Sequence, residues 1–418
     1  MALIYELKTK YGKRVAILID EYDAPLLKNI GKGELAETVR AELDNFYAAL
    51  KDCEDERGFV FITGVSKFAK TSVFSGLNNL MDLTLDPKYA SIVGFTVAEF
   101  DSLFKEHMDE TLNDVTFSEF YPEVRTVAAL RNLILEWYAG YSWDGETSLL
   151  NPWDALSFFY RKQFRKFWLE TGPPTFLADM FKSGQMNIVD FFSDNFLKEG
   201  ANALSLSGKS DVKALLFQAG YLTVAKSAKN KGKRGVFLNF PNLTLRASAA
   251  ELYDSSGMPI ADPLLLARQG RIALEALIMR DSAAFSLAFK NFIEVFARGA
   301  LALDENFYFK TLALAVMFSG ELCEIRKEAE GEAADLRLNS RFGDIFVIEI
   351  TRVPFPSGPR DNYDAKTREL MDEARNAVFE RMERKRHSFP ARGGGAKIYK
   401  TALVCGDRSE ILIDFQEA

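Results

Sequence analysis

The chain has 418 residues, of which 48% are hydrophobic, and its formal net charge is −7. A chain of this length folds as two or three domains, and this apolar share is ample for sizeable cores. The acidic balance excludes a general polyanion-binding protein, so any nucleic-acid contact must come from a local basic patch. No apolar run could cross a bilayer and the charged N-terminus lacks a signal-peptide core, which predicts a cytoplasmic protein without a membrane partner.

Cysteine and histidine are too sparse for the chemistry that depends on them. The three cysteines are far apart and lack C-x-x-C spacing, which argues against a zinc site or a disulfide framework. Of the two histidines, His107 and His387, neither lies in a recognisable Ser-His-Asp setting. Carboxylates are therefore the first candidates for chemistry.

An apolar strand that ends in acids is predicted near the N-terminus. Val15–Ile19 is a continuous apolar run, typical of a strand buried on both faces, and Asp20 and Glu21 follow it directly. In P-loop ATPases the first such acid holds Mg²⁺ and the second polarises the attacking water. The alternative is a plain strand end that turns into solvent. Only fourteen residues precede Val15, too few for a strand, a glycine-rich loop and a helix.

A second strand is predicted at 59–63, and it ends at Thr63, which carries a hydroxyl group. Thr63 could sense a γ-phosphate, with Lys67 nearby, although a plain strand-to-helix turn fits equally well. Residues 64–71 look like the phosphate-binding pattern G-x-x-x-x-G-K-T with Ala69 at the second glycine. That methyl group, and the position after the acidic strand, argue against a phosphate loop here. The predicted nucleotide-binding residues are Asp20, Glu21, Thr63 and Lys67.

Apolar periodicity and capping residues predict the remaining elements in chain order. The predicted helices cover 34–51, 96–108 with a capping box at Thr96 and Glu99, 152–160 after the cap Asn151, 211–219, 304–318 and 365–386. The predicted strands cover 221–225 and 235–240, which form a hairpin, then 334–338, 345–351, 398–405 and 411–415.

Two acids on neighbouring C-terminal strands form a second candidate site. Asp335 and Glu349 are fourteen positions apart, so a hairpin would bring them together around a divalent cation such as Mg²⁺. Glu305, upstream on a helix, could complete the site, or could be an ordinary acid in a first helical turn. The alternative for Asp335 and Glu349 is a pair of strand-end carboxylates that face water.

Several short stretches together are similar to one family. They are LIDEYDAP at 18–25, FITGVSKF at 61–68, SVFSGLNNL at 72–80, WYAGY at 137–141, NPW at 151–153, ETGPPTF at 170–176 and LFQAGYLT at 216–223. The chain resembles the predicted AAA-ATPase-like proteins that carry a C-terminal PD-(D/E)XK nuclease domain. The resemblance implies a phosphate loop upstream of the acidic strand, which has been lost here or precedes the chain start. ATP binding is in doubt without it, and ATP hydrolysis is not expected.

The resemblance also implies a domain plan within the α/β class. It places a truncated P-loop-ATPase-like α/β layer at 1–110, a helical lid with a linking hairpin at 111–285, and a restriction-endonuclease-like α/β domain at 286–418. The family's catalytic pattern is Asp, a gap, then Glu-x-Lys, and Thr351 stands where the lysine would be. Threonine offers no cation to the transition state, although Lys366 or Lys385 from the next helix could replace it. Weakened or absent cleavage is expected.

Basic residues gather in the same region. Between residues 360 and 408 there are twelve lysines and arginines against eight aspartates and glutamates. Four of them, Arg381, Arg384, Lys385 and Arg386, end the long predicted helix and could neutralise nucleic-acid phosphates. Simple capping of the helix dipole is the alternative. Three functions therefore stay open: a metal-dependent nuclease, a non-catalytic nucleic-acid-binding or interaction protein, and a nucleotide-driven switch.

Overall fold

The computed structural model describes residues 2–29, 33–65, 80–170, 196–198, 212–225, 235–253, 260, 262–296, 305–321, 324–327, 336–340, 342–354, 363–384, 397–406 and 410–418. The chain forms two compact units. The first is Met1–Val93 with Ser142–Thr147 and Phe196–Leu238, and the second is Gly94–Tyr141 with Ser148–Asn195 and Asn239–Ala418. Helices and small sheets together make a mixed α/β structure, as predicted. The three-domain plan and the two named folds stay predictions.

The helices and strands are numbered in chain order. The elements up to residue 170 are α1 (Ala2–Tyr11), β1 (Val15–Ile19), α2 (Ala24–Leu27), α3 (Glu34–Lys51), β2 (Arg57–Ile62), β3 (Phe95–Thr96), α4 (Val97–Leu103), α5 (Lys105–Leu112), α6 (Val115–Phe120), α7 (Val127–Tyr138), β4 (Leu149–Leu150), α8 (Pro152–Arg161) and α9 (Phe167–Glu170). The later elements are β5 (Phe196–Lys198), α10 (Val212–Gln218), β6 (Thr223–Val224), β7 (Gly235–Asn239), α11 (Leu243–Tyr253), α12 (Pro263–Met279), α13 (Ser282–Phe296), α14 (Glu305–Ser319), β8 (Glu324–Lys327), β9 (Leu336–Asn339), β10 (Ile345–Val353), α15 (Tyr363–Arg384), β11 (Ile398–Gly406) and β12 (Ile411–Glu417).

In the first unit, β1 and β2 form a two-stranded parallel sheet in which Leu18 pairs with Phe61. Side chains of β1 alternate between half-buried and exposed, and Leu18, Phe59 and Phe61 are 72%, 56% and 38% exposed. The prediction that β1 is buried on both faces is therefore wrong. Burial of both faces requires a covering layer on each side, and the face with these three side chains is left open.

The other sheet of the first unit has the order β5-β7-β6. The amide of Ala225 donates to the carbonyl of Phe237 at 2.7 Å, which ties the end of β6 to β7. The two predicted hairpin strands are therefore neighbours. The basic turn between them lies outside the described residues.

In the second unit, two capping predictions are confirmed. Thr96 and Glu99 form the capping box of α4, and the Asn151 side chain accepts from the first amides of α8, with Pro152 at the first helical position. One predicted boundary differs. The helix expected through Met108 is two helices, because Phe104 leaves helical geometry at φ −109° and ψ 12°.

The C-terminal part of the second unit is a five-stranded sheet in the order β12-β11-β10-β9-β8. β8, β9 and β10 form an antiparallel meander, α15 follows, β11 lies parallel to β10, and β12 returns antiparallel. The sequence analysis expected two strands before α15. The structure adds β8 as a third, at the sheet edge.

α15 covers one face of β10 and β11 through a small apolar core. Val378, Phe379 and Met382 of the helix pack with Val347 of β10 and Ala402 of β11. This packing sets which helix residues can reach the polar end of β10. In the part of the chain that the structure describes, no helix combines the length and apolar character needed to traverse a bilayer.

Candidate functional site

The acidic end of β1 meets the end of β2 in the first unit. Thr63 donates its hydroxyl hydrogen bond to Asp20 Oδ1, and the Glu21 amide donates to the same oxygen at 2.9 Å. This contact follows from the parallel pairing, because parallel strands end at the same edge of a sheet. Asp20 and Glu21 are both exposed. Three of the four predicted nucleotide-binding residues therefore come together, and Lys67 lies outside the described residues.

A buried acid, which the sequence analysis did not single out, holds this edge in place. Asp23 is fully buried, and its Oδ1 accepts from the Val65 amide at 3.2 Å. The Tyr22 amide donates to the Thr63 carbonyl at 3.1 Å. A Cβ at Gly64 would lie 2.4 Å from Asp23 Oδ1 and 2.5 Å from the Tyr22 ring. The two strand ends are therefore interlocked, and only glycine fits at position 64.

This edge can offer oxygen ligands to a hard cation. A carboxylate with a hydroxyl beside it is the donor type that Mg²⁺ prefers. Glu21 has a positive φ of 51°, a conformation that few non-glycine residues adopt, and this sets its direction after the strand. The phosphate-loop-like residues 66–71 lie outside the described residues.

The second candidate site lies in the second unit, along the end of β10. Glu349 and Thr351 are two residues apart and so share one face of the strand, the face that α15 covers. Arg381 of α15 reaches both side chains. Its Nε donates to Glu349 Oε1 at 2.6 Å, its Nη2 contacts the same oxygen, and Nη2 also donates to Thr351 Oγ1 at 3.1 Å.

Burial strengthens this contact on the carboxylate side. The Glu349 side chain is 14% exposed and the Arg381 side chain is 40% exposed. A largely buried carboxylate requires a partner, and charge-assisted hydrogen bonds from a guanidinium are among the strongest available. Arg381 was predicted as a nucleic-acid contact at the helix end. In the structure its guanidinium contacts Glu349 and Thr351.

Glu305 is held at the same end of β10. Its Oε1 accepts from the Arg352 backbone amide at 3.3 Å, although Glu305 itself is exposed. Arg352 is also exposed, in keeping with the strand alternation that turns it away from Glu349. The structure therefore brings together Glu349, Thr351 and Arg381, and it holds Glu305 at the backbone of Arg352. We call Glu349, Thr351 and Arg381 the β10 cluster.

The other predicted residues of this site are only partly described. Asp335 lies outside the described residues; Leu336, which follows it in sequence, pairs with Ile348. Lys385 and Arg386 also lie outside the described residues. Arg384 is exposed, and its Nε donates to the Glu380 carbonyl at 3.4 Å. Among the residues described, no three histidine, cysteine, aspartate or glutamate side chains are grouped to hold a metal ion.

Two further buried charges went unnoticed in the sequence. Lys400 of β11 is 4% exposed on its side chain and pairs with Glu383 of α15. Asp154 of α8 is fully buried, and its Oδ1 accepts from the Trp168 amide at 2.7 Å. Burial raises the pKa of Asp154 to about 6. Its position in the first turn of a capped helix gave no sign of this environment.

Known proteins resemble parts of this chain. A family described as Predicted AAA-ATPase matches residues 1–74, which include β1, β2, Asp20 and Thr63. An "Uncharacterized protein in vnfD 5'region" of Azotobacter chroococcum mcd 1 is 34% identical over 283 residues, or 67% of this chain and 50% of the relative. The chain thus spans about half the length of that relative. No solved structure matches. These findings support the AAA-ATPase-like prediction for the N-terminal residues and do not extend to the predicted nuclease domain.

Proposed function

We propose that this protein joins an AAA-ATPase-like N-terminal part to a nuclease-like C-terminal part that binds nucleic acid and cleaves it weakly or not at all. The observation that carries the proposal is the contact of Arg381 with Glu349 and Thr351. This end of β10 therefore has a carboxylate that could bind a metal cation and a guanidinium that could bind a phosphate.

The order of elements supports a nuclease-like C-terminal part. A helix, an antiparallel meander, a crossover helix and a parallel strand follow one another from α14 to β11. This order resembles the restriction-endonuclease-like core of the resembled family. Glu349 lies on β10, the central strand of the sheet, and directly follows Ile348, which is paired with β9.

Weak cleavage follows from the chemistry of Thr351 and Arg381. Threonine carries no charge, and arginine stays protonated at every accessible pH, so neither can act as a general base for water. Arg381 can still neutralise charge on a phosphate, because its guanidinium is suited to bidentate contact with phosphate oxygens. Binding is therefore expected to outlast hydrolysis.

Mg²⁺ or Mn²⁺ is the cation that this site would take. The carboxylates of Glu349 and Glu305 are hard oxygen donors, so their chemistry fits a divalent cation. Asp335 would be needed to complete the ligand set that the sequence predicts. When bound, such a cation would polarise a phosphodiester oxygen and lower the pKa of water.

The first test is cleavage of supercoiled plasmid with Mg²⁺ or Mn²⁺. We expect little or no nicking by the natural chain, and any nicking should disappear in Glu349→Gln, which keeps the shape and removes the charge. Glu380→Gln is the matched control, because it removes the same charge from an exposed acid of α15, four residues before Arg384. Strong metal-dependent nicking, lost in Glu349→Gln alone, would replace this proposal with an active nuclease.

The second test is salt-dependent binding to short duplex DNA or RNA. We expect affinity to fall steeply with salt and to drop further in Arg384→Ala, which removes an exposed cation at the end of α15. No binding at low salt, with either nucleic acid, would refute the proposal.

A nucleotide-driven switch is the second candidate, favoured by the contact of Thr63 with Asp20 and by the family match over residues 1–74. Calorimetry with Mg²⁺ and ATP measures directly whether the chain binds the nucleotide. Binding that weakens in Asp20→Asn, and not in the exposed-acid control Glu34→Gln, would support the switch. The absence of any binding heat would remove it.

A further inference from the structure

The N-terminus of α11 is buried, and not all of its backbone donors are satisfied. Asn242 caps this helix, because its Oδ1 accepts from the Leu245 amide at 3.2 Å. The amides of Leu243 and Thr244 precede that bond, and no residue that the structure describes supplies an acceptor for either. Leu243 and Thr244 are fully buried. A buried helix end with free N–H groups needs an acceptor, because each group left without one costs free energy.

Two buried side chains add donors at the same helix end. Asn242 Nδ2 and Arg246 Nε are buried and have no hydrogen-bond partner among the described residues. Asn242 is 1% exposed and Arg246 is 9% exposed. The Arg246 amide donates to the Asn242 carbonyl at 3.2 Å, so the two residues lie one helical turn apart and on one face. Because helical side chains lean toward the N-terminus of their helix, Arg246 is directed at the first turn of α11.

Arg246 also brings a positive charge that forms no ion pair within the described part of the chain. Its Nη1 donates to the Phe318 carbonyl, at the end of α14, over a long 3.5 Å. Burial lowers the pKa of Arg246 to about 10, although the nearby charge of Glu136 opposes this shift and that of Arg271 adds to it. The Glu136 carboxylate already accepts from Arg271 at 2.8 Å. Two arginines therefore share one carboxylate, and a buried charge without its own partner is costly.

We propose that the first turn of α11 and Arg246 bind a small inorganic anion of the size of chloride. Helix N-termini attract anions through their free amides and the positive end of the helix dipole. An anion is favoured over a water molecule, because a water oxygen has two lone pairs, whereas two backbone amides, two side-chain nitrogens and a positive charge are offered here. The burial of these donors limits the ligand to a small ion. The site is separate from the β10 cluster and does not depend on the proposed function.

Native-state hydrogen exchange of the full chain tests the proposal by comparing sodium chloride with sodium gluconate at equal ionic strength. An anion that binds only the folded site raises protection by one plus the ratio of its concentration to its Kd. Protection of amides in α11 and α14 should therefore rise about tenfold for each tenfold rise in chloride above Kd. Amides of β1 and β2, in the other compact unit, should not respond. Equal protection of α11 in the two salts would overturn the proposal.

Two pairs of variants locate the anion. Asn242→Asp keeps the capping oxygen and replaces Nδ2 by a carboxylate oxygen, so α11 should still be capped and the chloride response should disappear. Asn151→Asp makes the same change at the cap of α8 and should keep the response. Arg246→Met removes the buried charge and should also abolish the response. Arg268→Met, at an exposed arginine of α12, should keep it.

The alternative is that Arg246 serves only the C-terminal end of α14. Arg246→Met would then lower protection equally in both salts, which would overturn the proposal. A chloride response that persists in both Asn242→Asp and Arg246→Met would place the anion elsewhere and would overturn it as well. If Arg246→Met does not fold, the response of Asn242→Asp, which keeps the cap, decides between these outcomes.

Discussion

The pair between Arg381 and Glu349 makes a quantitative prediction about the C-terminal sheet. We consider Arg381→Ala, Glu349→Gln and the double variant as a cycle, so that effects of each change on its own cancel. The free energy that remains is the coupling energy between the side chains of Arg381 and Glu349. It reports whether α15 and β10 are joined in solution as the structure places them.

The expected coupling follows from distance and burial. A hydrogen bond to a charged group contributes about 1.5–3 kcal/mol, whereas an exposed ion pair contributes less than about 1 kcal/mol. This pair is intermediate, because the Glu349 side chain is 14% exposed and that of Arg381 is 40% exposed. We therefore expect a coupling of about 1.5 kcal/mol, roughly tenfold in an equilibrium constant.

Native-state hydrogen exchange is the suitable assay, since the chain has two compact units that need not unfold together. The coupling should appear as changed protection of amides in β10 and α15. Amides of β1 and β2 should keep their protection and serve as an internal control. The cycle built on Arg375→Ala and Asp372→Asn, a pair within α15 whose carboxylate side chain is 46% exposed, should give a smaller coupling.

A coupling below about 0.3 kcal/mol, with both single variants folded, would refute this reasoning. It would mean that Arg381 spends its time in solvent. The contact that carries the proposed function, between Arg381 and the pair Glu349 and Thr351, would then lose its basis.

Three other predictions concern the buried acid Asp154, the glycine at position 64 and the buried tyrosine Tyr308. Burial raises the pKa of Asp154 to about 6, above its unfolded value, so the stability gained by keeping this acid protonated is complete below pH about 4 and is lost as pH rises through 6. Asp154→Asn should therefore increase the free energy of urea unfolding by up to about 3 kcal/mol at pH 7.5 and should not increase it at pH 4. Equal changes at both pH values would contradict this prediction. Gly64→Ala should destabilise the first unit by about 1–3 kcal/mol, because the new methyl group would meet Asp23 at 2.4 Å, and an unchanged urea midpoint would disprove the clash. Tyr308 donates to the Gly406 carbonyl at 2.7 Å, so Tyr308→Phe should cost about 1 kcal/mol in the same assay, and a neutral change would show that water replaces the bond.

Most of the described strands could be predicted because their apolar spacing is regular, whereas fewer than half of the described helices were predicted. The predicted boundaries of β10 and β11 are correct within two residues, since buried strands of a parallel pair are nearly continuous apolar runs. β8 could not be predicted in this way. Its sequence, Glu-Ile-Arg-Lys, has one apolar residue, as is usual for a charged edge strand that avoids pairing with other chains.

The two candidate sites differ in how far sequence determines them. Asp20 and Thr63 could be brought together from sequence alone, because each follows a strand and parallel strands end at one edge. Arg381 could not be assigned to Glu349, because that contact depends on how α15 lies on the sheet. The packing of Val378 and Met382 against the sheet turns Arg381 toward β10, and their apolar spacing was the only sequence signal of it.

The element that supplies the positive side chain, β10 or α15, changes how that side chain is held beside Glu349. A lysine two residues after Glu349 would be fixed on the strand, beside the acid and on the same face, in every state of the site. An arginine from α15 reaches the same place through a long side chain that is 40% exposed. The arginine therefore links α15 to the acid of β10, which a lysine on β10 itself could not do. Under the proposed function, Thr351 offers no general base, because threonine is neutral, so binding rather than hydrolysis is expected at this end of β10.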